Sequence, residues 1–377
     1  MNRRRTRAVA RKELLHIVRD PISLIMAMAV PLVLLLLFGW ALSLDVDRVS
    51  TWVYDADRTP ESRELIARFE ASRFFQVGGY AGSQKAIEER IDRGEAMLGL
   101  VIPPDYSRHL ALDQEAEVQA LLDGSDSNTA SIALGYVEAV ARAHAQALQA
   151  RAQNLKLGRT MRPPVEARLR VWYNSELKSR NYIVPGLIAV ILMIISALLT
   201  SLTIAREWES GTMEQLLSTP LRPAELVLGK LCAFFAVGLV DMVIAITVGV
   251  GIFRVPLRGS LLLLFFTGCL FLFGGLCWGI LLSALVRSQL LAYQLGMLTS
   301  FLPAFLLSGF VYAIENMPAP IRAITYIVPA RYFVTIIKGI YLKGVGIGVL
   351  AAEIAFLAVY AALIFVAATR VMRQKVV

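Results

Sequence analysis

Six long apolar runs constrain this chain more than any other feature of its sequence. Each has about 20 or more residues, and a helix of that length crosses a hydrocarbon core of about 30 Å. The chain is 56% hydrophobic and only 18% charged, whereas soluble domains have about 45–50% and about 25%. We therefore predict an α-helical integral membrane protein with six transmembrane helices. The runs lie at about residues 22–44, 183–205, 231–253, 261–286, 290–313 and 346–369.

The positive charge of the chain is concentrated at its two ends. The formal net charge is +9, and an excess of Lys and Arg marks the cytoplasmic side of a membrane protein. Six spans return the chain to the side on which it began, so both termini are predicted to be cytoplasmic. Interleaved aromatics or a reader motif, as in nucleic-acid-binding surfaces, are missing, so no nucleic-acid partner is expected. The basic residues at the ends are Arg3, Arg4, Arg5, Arg7, Arg11, Lys12, Arg19, Arg370, Arg373 and Lys375.

Residues 1–21 predict a cytoplasmic interfacial helix that contacts membrane lipid. Leu14 and Val18 can lie towards its apolar side, while Arg11 and Lys12 reach towards headgroups. Pro21 interrupts this helix before the first span. A cleaved signal peptide would have an apolar region of only about 7–15 residues followed by a small-residue site. The first run is longer and no such site follows it, so it predicts an uncleaved anchor.

Residues 45–180 differ from the rest because they are polar and charged over a long stretch. Strand-like runs (STWVYD, FFQVGGY, AMLGLVIPP, AEVQALLD) alternate with helical ones (PESRELIARFE, SQKAIEERIDRGE), and this alternation predicts a mixed α/β domain. A long helix is predicted to follow at about residues 128–153. The domain comes after span one, so the count of spans makes it extracytoplasmic. Residues 181–377 then hold transmembrane helices two to six.

A charged insert, REWESGTMEQLLSTPLRPAELVLGK, separates the second and third apolar runs at residues 206–230. Each charged group at the bilayer centre would cost about 2.5–3.5 kcal/mol on insertion scales, so the insert must face water or a protein. Thr212 and Gln215 form a T-x-x-Q capping box that predicts a short helix. Pro220 ends this helix, and Pro223 can begin the next one. These features leave two interpretations open, a docking surface and a simple tethering loop.

The insert resembles the motif of ABC-2-type permeases, the membrane subunits of ABC exporters. That motif has the form R-E-x-E-x-G-T-x-E-Q-L-L-x-T-P and ends in L-G-K. DGSDSNTA, VWYNSELKSRNYIVPG and LSGFVYAIENMP extend the resemblance over essentially the whole chain, within the subgroup that has a large periplasmic insert after span one. The resemblance implies a coupling helix that docks in a groove of a cytoplasmic ATPase. The coupling residues so implied are Arg206, Glu207, Glu209, Gly211, Thr212, Glu214, Gln215, Pro220 and Lys230.

The energy source is expected to lie on another subunit. The nearest match to the phosphate-binding pattern G-x-x-x-x-G-K-[ST] is AELVLGKL, which has Ala224 for the first Gly and Leu231 for the hydroxyl residue. We therefore expect no enzyme activity and no cofactor on this chain, with ATP and Mg on a partner ATPase. The resemblance implies a bacterial inner-membrane location and a second permease copy or a sister permease. It further implies a periplasmic adaptor leading to an outer-membrane channel.

Three further residues are candidates for the transport pathway or its gate. Asp241 lies about three turns into the third apolar run, and an intramembrane carboxylate is a functional candidate by default. A hydrogen bond between helices is the alternative role. Residues 314–345 are too apolar for a free loop and too broken by prolines for a span, which predicts an outer re-entrant segment. In that segment Arg331 is expected to pair with Glu315 and close the outer gate.

An ion-coupled secondary transporter is the alternative function. It would predict paired intramembrane carboxylates and inverted repeats, whereas the sequence has one deep carboxylate and no convincing repeat. His16, His109 and His144 are scattered without ligand spacing, so no metal site is predicted. Lipid-like, drug-like and polymeric substrates would all suit an apolar pathway.

Overall fold

The computed structural model describes residues 2–41, 48–112, 114–157, 172–174 and 178–376. The chain divides into two compact units. The first, here called the helical unit, comprises Met1–Ser43 and Val171–Val377. The second, here called the α/β unit, comprises Leu44–Arg170. Part of the motif VWYNSELKSRNYIVPG, residues 171 and 175–177, lies outside the described residues.

Helices dominate the described chain, and four short strands fall in the α/β unit. In chain order the elements are α1 (Arg3–Arg19), α2 (Pro21–Ala41), β1 (Val49–Asp55), α3 (Pro60–Ala71), β2 (Phe75–Tyr80), α4 (Gln84–Asp92), β3 (Leu98–Ile102), α5 (Tyr106–Ala111), β4 (Gln119–Leu122), α6 (Ser127–Leu157), α7 (Ser179–Glu209), α8 (Thr212–Leu217), α9 (Pro223–Gly251), α10 (Leu261–Leu285), α11 (Gln289–Leu306), a 3₁₀ turn (Ile314–Asn316), α12 (Ala319–Thr325), α13 (Pro329–Lys338), a π-helical turn (Gly339–Lys343) and α14 (Ile347–Val376).

Six described helices are long and apolar enough to cross a membrane, namely α2, α7, α9, α10, α11 and α14. This number agrees with the six apolar runs of the sequence. Helix α12 and the helical stretch Pro329–Lys343 form a bent pair with an angle of 79° between them, and a seventh span results if that pair is one span. The bent pair lies within residues 314–345, where the sequence predicts a re-entrant segment.

The ends of α7 and α11 are among the helix boundaries that differ from the sequence-based ones. Helix α7 continues to Glu209, so the first residues of the charged insert prolong span two instead of forming a loop. Helix α11 ends at Leu306, well before the predicted end of span five. Gly309 then takes a φ of +77°, a conformation that suits glycine and turns the chain away from the helix axis.

Helix α7 packs against α10 through small residues. A Cβ placed on Gly279 would overlap the hydroxyl of Thr200 and the carbonyl of Ala197. The Thr200 hydroxyl donates a hydrogen bond to the Leu276 carbonyl at 2.9 Å. The Ser283 hydroxyl accepts from the backbone N–H groups of residues 204 and 205, near the end of α7 that leads into the insert, both at 3.0 Å. Small residues allow this close approach of two helix backbones.

The α/β unit is built on a four-stranded sheet with the strand order β2-β1-β3-β4. Strand β1 is parallel to β2 and β3, while β4 is antiparallel to β3. Val53 and Leu100 are paired neighbours in β1 and β3, and both are fully buried against helix residues such as Phe69. A small mixed α/β fold is therefore present among the described residues of Leu44–Arg170. Its position outside the cytoplasm stays a prediction.

The α7–α10 contact yields a first testable prediction. Gly279→Ala should lower the stability of the helical unit by about 1–3 kcal/mol, the usual cost of overpacking, because the Ala197 carbonyl cannot move aside like a side chain. Thermal inactivation in detergent measures the effect. Gly348→Ala is the matched control, since a Cβ there meets nothing within 4 Å. Equal inactivation temperatures for the two variants would contradict this packing.

Candidate functional site

The turn between α7 and α8 is set by the backbone of one glycine. Gly211 has a φ of +72°, and nothing lies within 4 Å of a Cβ added there. The conformation, and not a lack of space, therefore requires glycine at this point. Gly211 occupies the N-cap position of α8, so the capping box predicted at Thr212 and Gln215 is wrong. The Thr212 hydroxyl instead lies 2.9 Å from the Ser210 hydroxyl.

One side of helix α8 is buried against protein, and the other side is exposed. Met213 is fully buried in an apolar cluster that includes Val9 of α1 and Leu226 of α9. Glu214 and Gln215 are exposed. The side chain of Leu217, which the sequence also assigned to the apolar side, lies outside the described residues. The short helix thus has an anchored base and a polar outer surface.

Helix α1 lies directly on the first turns of α9. A Cβ on Gly229 would be 2.6 Å from the Val9 Cβ and 3.1 Å from the Thr6 carbonyl oxygen. Only glycine allows this distance between the two helices. Val9 itself is buried in the contact. The N-terminal helix is therefore packed against protein along one side, and the motif residue Gly229 makes that packing possible.

A group of alternating charges, three of them buried and one, Lys12, about half exposed, lies where α1, α7 and α9 meet. The Lys230 ammonium is 3.0 Å from Oε1 of Glu13 and 3.0 Å from Oε1 of Glu207. The Lys12 ammonium is 2.9 Å from Oε1 of Glu207 and 3.1 Å from Oε1 of Glu13. Lys230 is only 1% exposed, and the two glutamates are almost as deeply buried. We call these four residues, Lys12, Glu13, Glu207 and Lys230, the ion cluster.

Pairing favours the charged forms of Glu13 and Lys12 in spite of their partial burial. Burial opposes ionisation of Glu13, but the ammonium groups of Lys230 and Lys12 outweigh it and hold the pKa of Glu13 below its usual value. Burial likewise opposes the charge of Lys12, but Glu207 and Glu13 outweigh it and raise the pKa of Lys12. Removing one member of a buried pair leaves an uncompensated charge, which is strongly unfavourable. The four charges therefore hold the three helices in one arrangement.

Glu225 provides a second link between α1 and the insert. Its carboxylate accepts a hydrogen bond from the Asn2 N–H at 2.6 Å and from the Arg222 N–H at 3.2 Å. The Arg5 guanidinium lies 4.0 Å from the same carboxylate and donates to the Pro220 carbonyl. Pro220 therefore contributes its carbonyl to the contact with α1. The sequence analysis did not single out Glu225.

Glu209 and Arg206 contact the start of α11. The Glu209 carboxylate accepts from the Gln289 backbone N–H at 2.7 Å and from its side-chain amide at 2.5 Å. Arg206 donates to the Gln289 side-chain oxygen at 3.3 Å. Gln289 is the first residue of α11, so Glu209 satisfies an N–H group that has no partner within that helix. Glu207 and Glu209 thus both make contacts within the chain.

Comparisons with known proteins identify what this arrangement belongs to. The family model described as "ABC-2 family transporter protein" matches residues 21–370, which is nearly the whole chain. The chain belongs to the ABC-2 transporter family. The family identification from the sequence motif is therefore confirmed, and the insert with its surrounding helices lies inside the matched range except for α1.

Three relatives of this ABC-2 protein come from Escherichia coli strain K12 and match along most of their length. "Probable multidrug ABC transporter permease YbhS" is 38% identical over 342 residues, which cover 90% of this chain and 89% of the relative. "Probable multidrug ABC transporter permease YbhR" is 34% identical over 333 residues, 88% of each chain. "Inner membrane transport permease YhhJ" is 25% identical over 302 residues, 78% of this chain and 77% of that one.

Asp241 of this ABC-2 protein is buried in α9 with only 3% of its surface exposed. Neither of its carboxylate oxygens has a hydrogen-bond partner within the part of the chain that the structure describes. Its neighbours on α9, Gly238 and Met242, pack against Leu272 and Gly268 of α10. The hydrogen bond between helices that was the alternative role for Asp241 is therefore not formed among those residues.

Arg331 and Glu315 of this ABC-2 protein are not brought together. Arg331 donates to the Thr325 hydroxyl at 2.5 Å, and its guanidinium lies 4.0 Å from the ring centre of Tyr326. Glu315 is exposed, and no ion pair joins it to another described residue. The expected pair is therefore wrong. The reason is local, since a hydroxyl and an aromatic face in the preceding residues occupy Arg331.

A different contact, missed by the sequence analysis, joins the segment after α11 to α7 and α13. The Gly309 carbonyl accepts from the Tyr182 hydroxyl at 2.9 Å and from the Lys338 ammonium at 3.1 Å. That ammonium lies 3.3 Å from the centre of the Tyr182 ring, a cation–π arrangement. Phe310 is buried and fills the space left by Gly186. Tyr182 and Gly186 belong to NYIVPG and Gly309 to LSGF, so the shared motifs were the available signal.

The described residues of this ABC-2 protein contain no group of three or more His, Cys, Asp or Glu side chains that could hold a metal ion. His16 and His109 lie on α1 and α5. His144 is buried on α6 with its Nε2 atom 3.1 Å from the Tyr106 hydroxyl. The three histidines thus lie on separate helices.

Removal of the Lys230 charge should weaken the contact between α1 and the insert. Lys230→Met leaves Glu13 and Glu207 buried together with only Lys12 to neutralise them. We expect a loss of about 3 kcal/mol, the lower part of the range for a broken buried pair, and faster proteolysis of the N-terminal helix. Lys343→Met is the control, because Lys343 is exposed. Equal protease resistance of α1 in both variants would contradict the role of the ion cluster.

The stability that Glu13 contributes should depend on pH on the acid side. The folded-state pKa of Glu13 is lowered from its ordinary value of 4.5, so its contribution is present above about pH 4.5 and is lost as the pH falls below that value. The melting temperature of the unaltered protein minus that of Glu13→Gln should therefore be positive at neutral pH and shrink on acidification. A difference that stays constant down to the folded-state pKa would refute the pairing.

Proposed function

We propose that this chain is the permease subunit of an ATP-driven exporter and that α8 is the surface that receives the ATPase. The single observation that carries the proposal is the ion cluster. It fixes the base of the insert to α1 and α9, while Glu214 and Gln215 remain exposed on α8. A short helix with a rigid base and an exposed polar surface can be displaced by a bound partner, and its base can transmit that displacement to the spans.

The exporter direction is supported by the relatives. Two proteins at 38% and 34% identity are named as probable multidrug ABC transporter permeases. Export of drug-like compounds is therefore the substrate class that we propose. An apolar pathway among the spans of the helical unit suits such compounds better than it suits small ions.

The partners follow from the same proposal. AELVLGKL fails as a phosphate-binding loop, so ATP and Mg²⁺ bind to a separate ATPase subunit on the cytoplasmic side. Two permeases, either two copies or this chain and a sister chain, form the membrane part of the complex. Both termini are cytoplasmic in the bacterial inner membrane. The α/β unit then lies in the periplasm, where it can receive an adaptor that leads to an outer-membrane channel.

Under this proposal each residue of the motif either contacts the ATPase or positions the insert. Glu214 and Gln215 contact the ATPase directly. Glu207 and Lys230 position the insert through the ion cluster, while Glu209 and Arg206 connect it to α11. Gly211 and Thr212 form the turn into α8. Pro220 follows the end of α8 and contacts Arg5 of α1.

Asp241 is proposed as a pathway residue, and Arg331 and Glu315 as residues of the outer gate that act separately. The unpartnered carboxylate of Asp241 is also the one observation that favours the alternative, an ion-coupled transporter. Asp241→Asn distinguishes the two functions. It should abolish transport driven by an ion gradient, whereas transport that requires ATP and the ATPase subunit should survive with altered substrate affinity.

Charge reversal at Glu214 tests the docking surface. The tagged permease, purified in mild detergent from its native membranes, should retain an ATPase subunit, and Glu214→Lys should reduce that yield about tenfold. Glu88→Lys, on the α/β unit, is the control that should keep the ATPase. The proposal fails if no ATPase is recovered even after cross-linking before extraction, or if Glu214→Lys retains it fully.

A further inference from the structure

Helix α1 has a second surface that neither the ion cluster nor the insert uses. Val9 and Glu13 face α9 and are buried. With 3.6 residues per turn, the opposite side of α1 carries four arginines and, towards its end, three apolar residues. All seven are exposed. We call this the outer face of α1, and its residues are Arg3, Arg4, Arg7, Arg11, Leu14, Leu15 and Val18.

The charge of the outer face has a single sign. Glu13 is the only acidic residue within α1, and it is buried on the other side. Arg5 and Lys12 lie nearer to α9. Arg5 contacts Pro220, and Lys12 belongs to the ion cluster. In contrast, the side chains of the four outer arginines make no hydrogen bond or ion pair with any described residue. Four guanidinium groups are thus presented together without a partner among the described residues.

The apolar end of the outer face is exposed to an unusual degree for a helix that packs on protein. Leu14, Leu15 and Val18 are 42%, 46% and 58% exposed. They come directly before α2, whose candidate span begins at Leu24. The basic part and the apolar part therefore follow each other along one side of the same helix.

Contacts on the buried side place this surface at the level of the membrane boundary. Val9 lies against Gly229, which is in the second turn of α9, and Glu13 contacts Lys230. Apolar spans α9 and α2 start beside α1. A helix held against the first turns of one span and leading into another lies where lipid headgroups meet acyl chains.

We propose that the outer face of α1 binds anionic phospholipid. The four guanidinium groups hold headgroup phosphates, to which arginine donates paired hydrogen bonds, and Leu14, Leu15 and Val18 contact the acyl chains. A zwitterionic lipid has a phosphate too, but its ammonium group repels the arginines, so the site prefers lipid with a net negative charge. The proposal rests on the cytoplasmic placement of α1 proposed above and does not depend on docking of the ATPase.

Lipid preference of the permease alone, without any ATPase, tests this site. The protein is reconstituted in phosphatidylcholine, and electron paramagnetic resonance measures how much spin-labelled phosphatidylglycerol or phosphatidylcholine it immobilises. The unaltered protein should prefer phosphatidylglycerol several-fold, and added salt should weaken this preference because it screens exposed charges. The combined variant R3Q, R4Q, R7Q and R11Q should lose most of the preference.

Two further variants separate the site from net charge and from misfolding. The first variant replaces four exposed arginines of the α/β unit and so removes the same number of charges. This combined variant, R63Q, R93Q, R108Q and R142Q, should leave the lipid preference unchanged. Replacing the four arginines of the outer face by lysine keeps the charge and should retain most of the preference in a folded protein.

The proposal is overturned if the glutamine variant of the outer face prefers phosphatidylglycerol as strongly as the unaltered protein does. If that variant keeps its lipid preference but no longer co-purifies with an ATPase, the face belongs to the ATPase and not to lipid. Failure of the Glu214→Lys test, in contrast, would leave the lipid result untouched.

Discussion

Burial of the Lys230 ammonium is the constraint on which the rest of the helical unit depends. A lysine that is 1% exposed is tolerated only beside compensating charges, because the desolvation of an isolated ion is very unfavourable. Glu207, at the end of α7, and Glu13, on α1, supply those charges. Three helices from distant parts of the sequence must therefore meet at one point. The insert takes its position from this meeting, since α8 follows α7 and precedes α9.

Helix α7 connects the insert to the far end of the helical unit. At one end it contributes Glu207 to the ion cluster and Glu209 to the start of α11. Near its other end Tyr182 binds the Gly309 carbonyl beyond α11. Between these points its close packing on α10 leaves little room for independent movement. A displacement of the insert thus has two direct routes to α11, one at each end of that helix. If α8 receives the ATPase as proposed, α7 and α11 are the two helices that would transmit its displacement to the other spans.

Hydropathy alone revealed the six spans, because length and apolarity are local properties. The motif alone revealed the family. The sequence could not show that Glu13 pairs with Lys230, since 217 positions separate them and Glu13 stands in a helix whose basic residues suggested only headgroup contacts. Glu207 was singled out by the motif, but its burial depends on the same distant contact. The capping box failed because Gly211, one position earlier, adopts the left-handed conformation and takes the N-cap place. Tertiary contacts and a single backbone conformation thus decided what local patterns could not.

Under the proposed function α1 and the insert move as one rigid unit, and a reversible cross-link between them tests this. Cysteines at Val9 and Gly229 can be joined across this contact once the two helices move apart by roughly 1.2 Å, because an added Cβ at Gly229 lies 2.6 Å from the Val9 Cβ and a disulfide needs ~3.8 Å. Cys232, Cys269 and Cys277 are first replaced by serine. ATP-driven transport by the complex is then measured with the disulfide formed and after reduction. If α1 and the insert move together, transport continues with the cross-link in place. Transport that stops on oxidation and returns on reduction would show that the two helices must separate, and would contradict it.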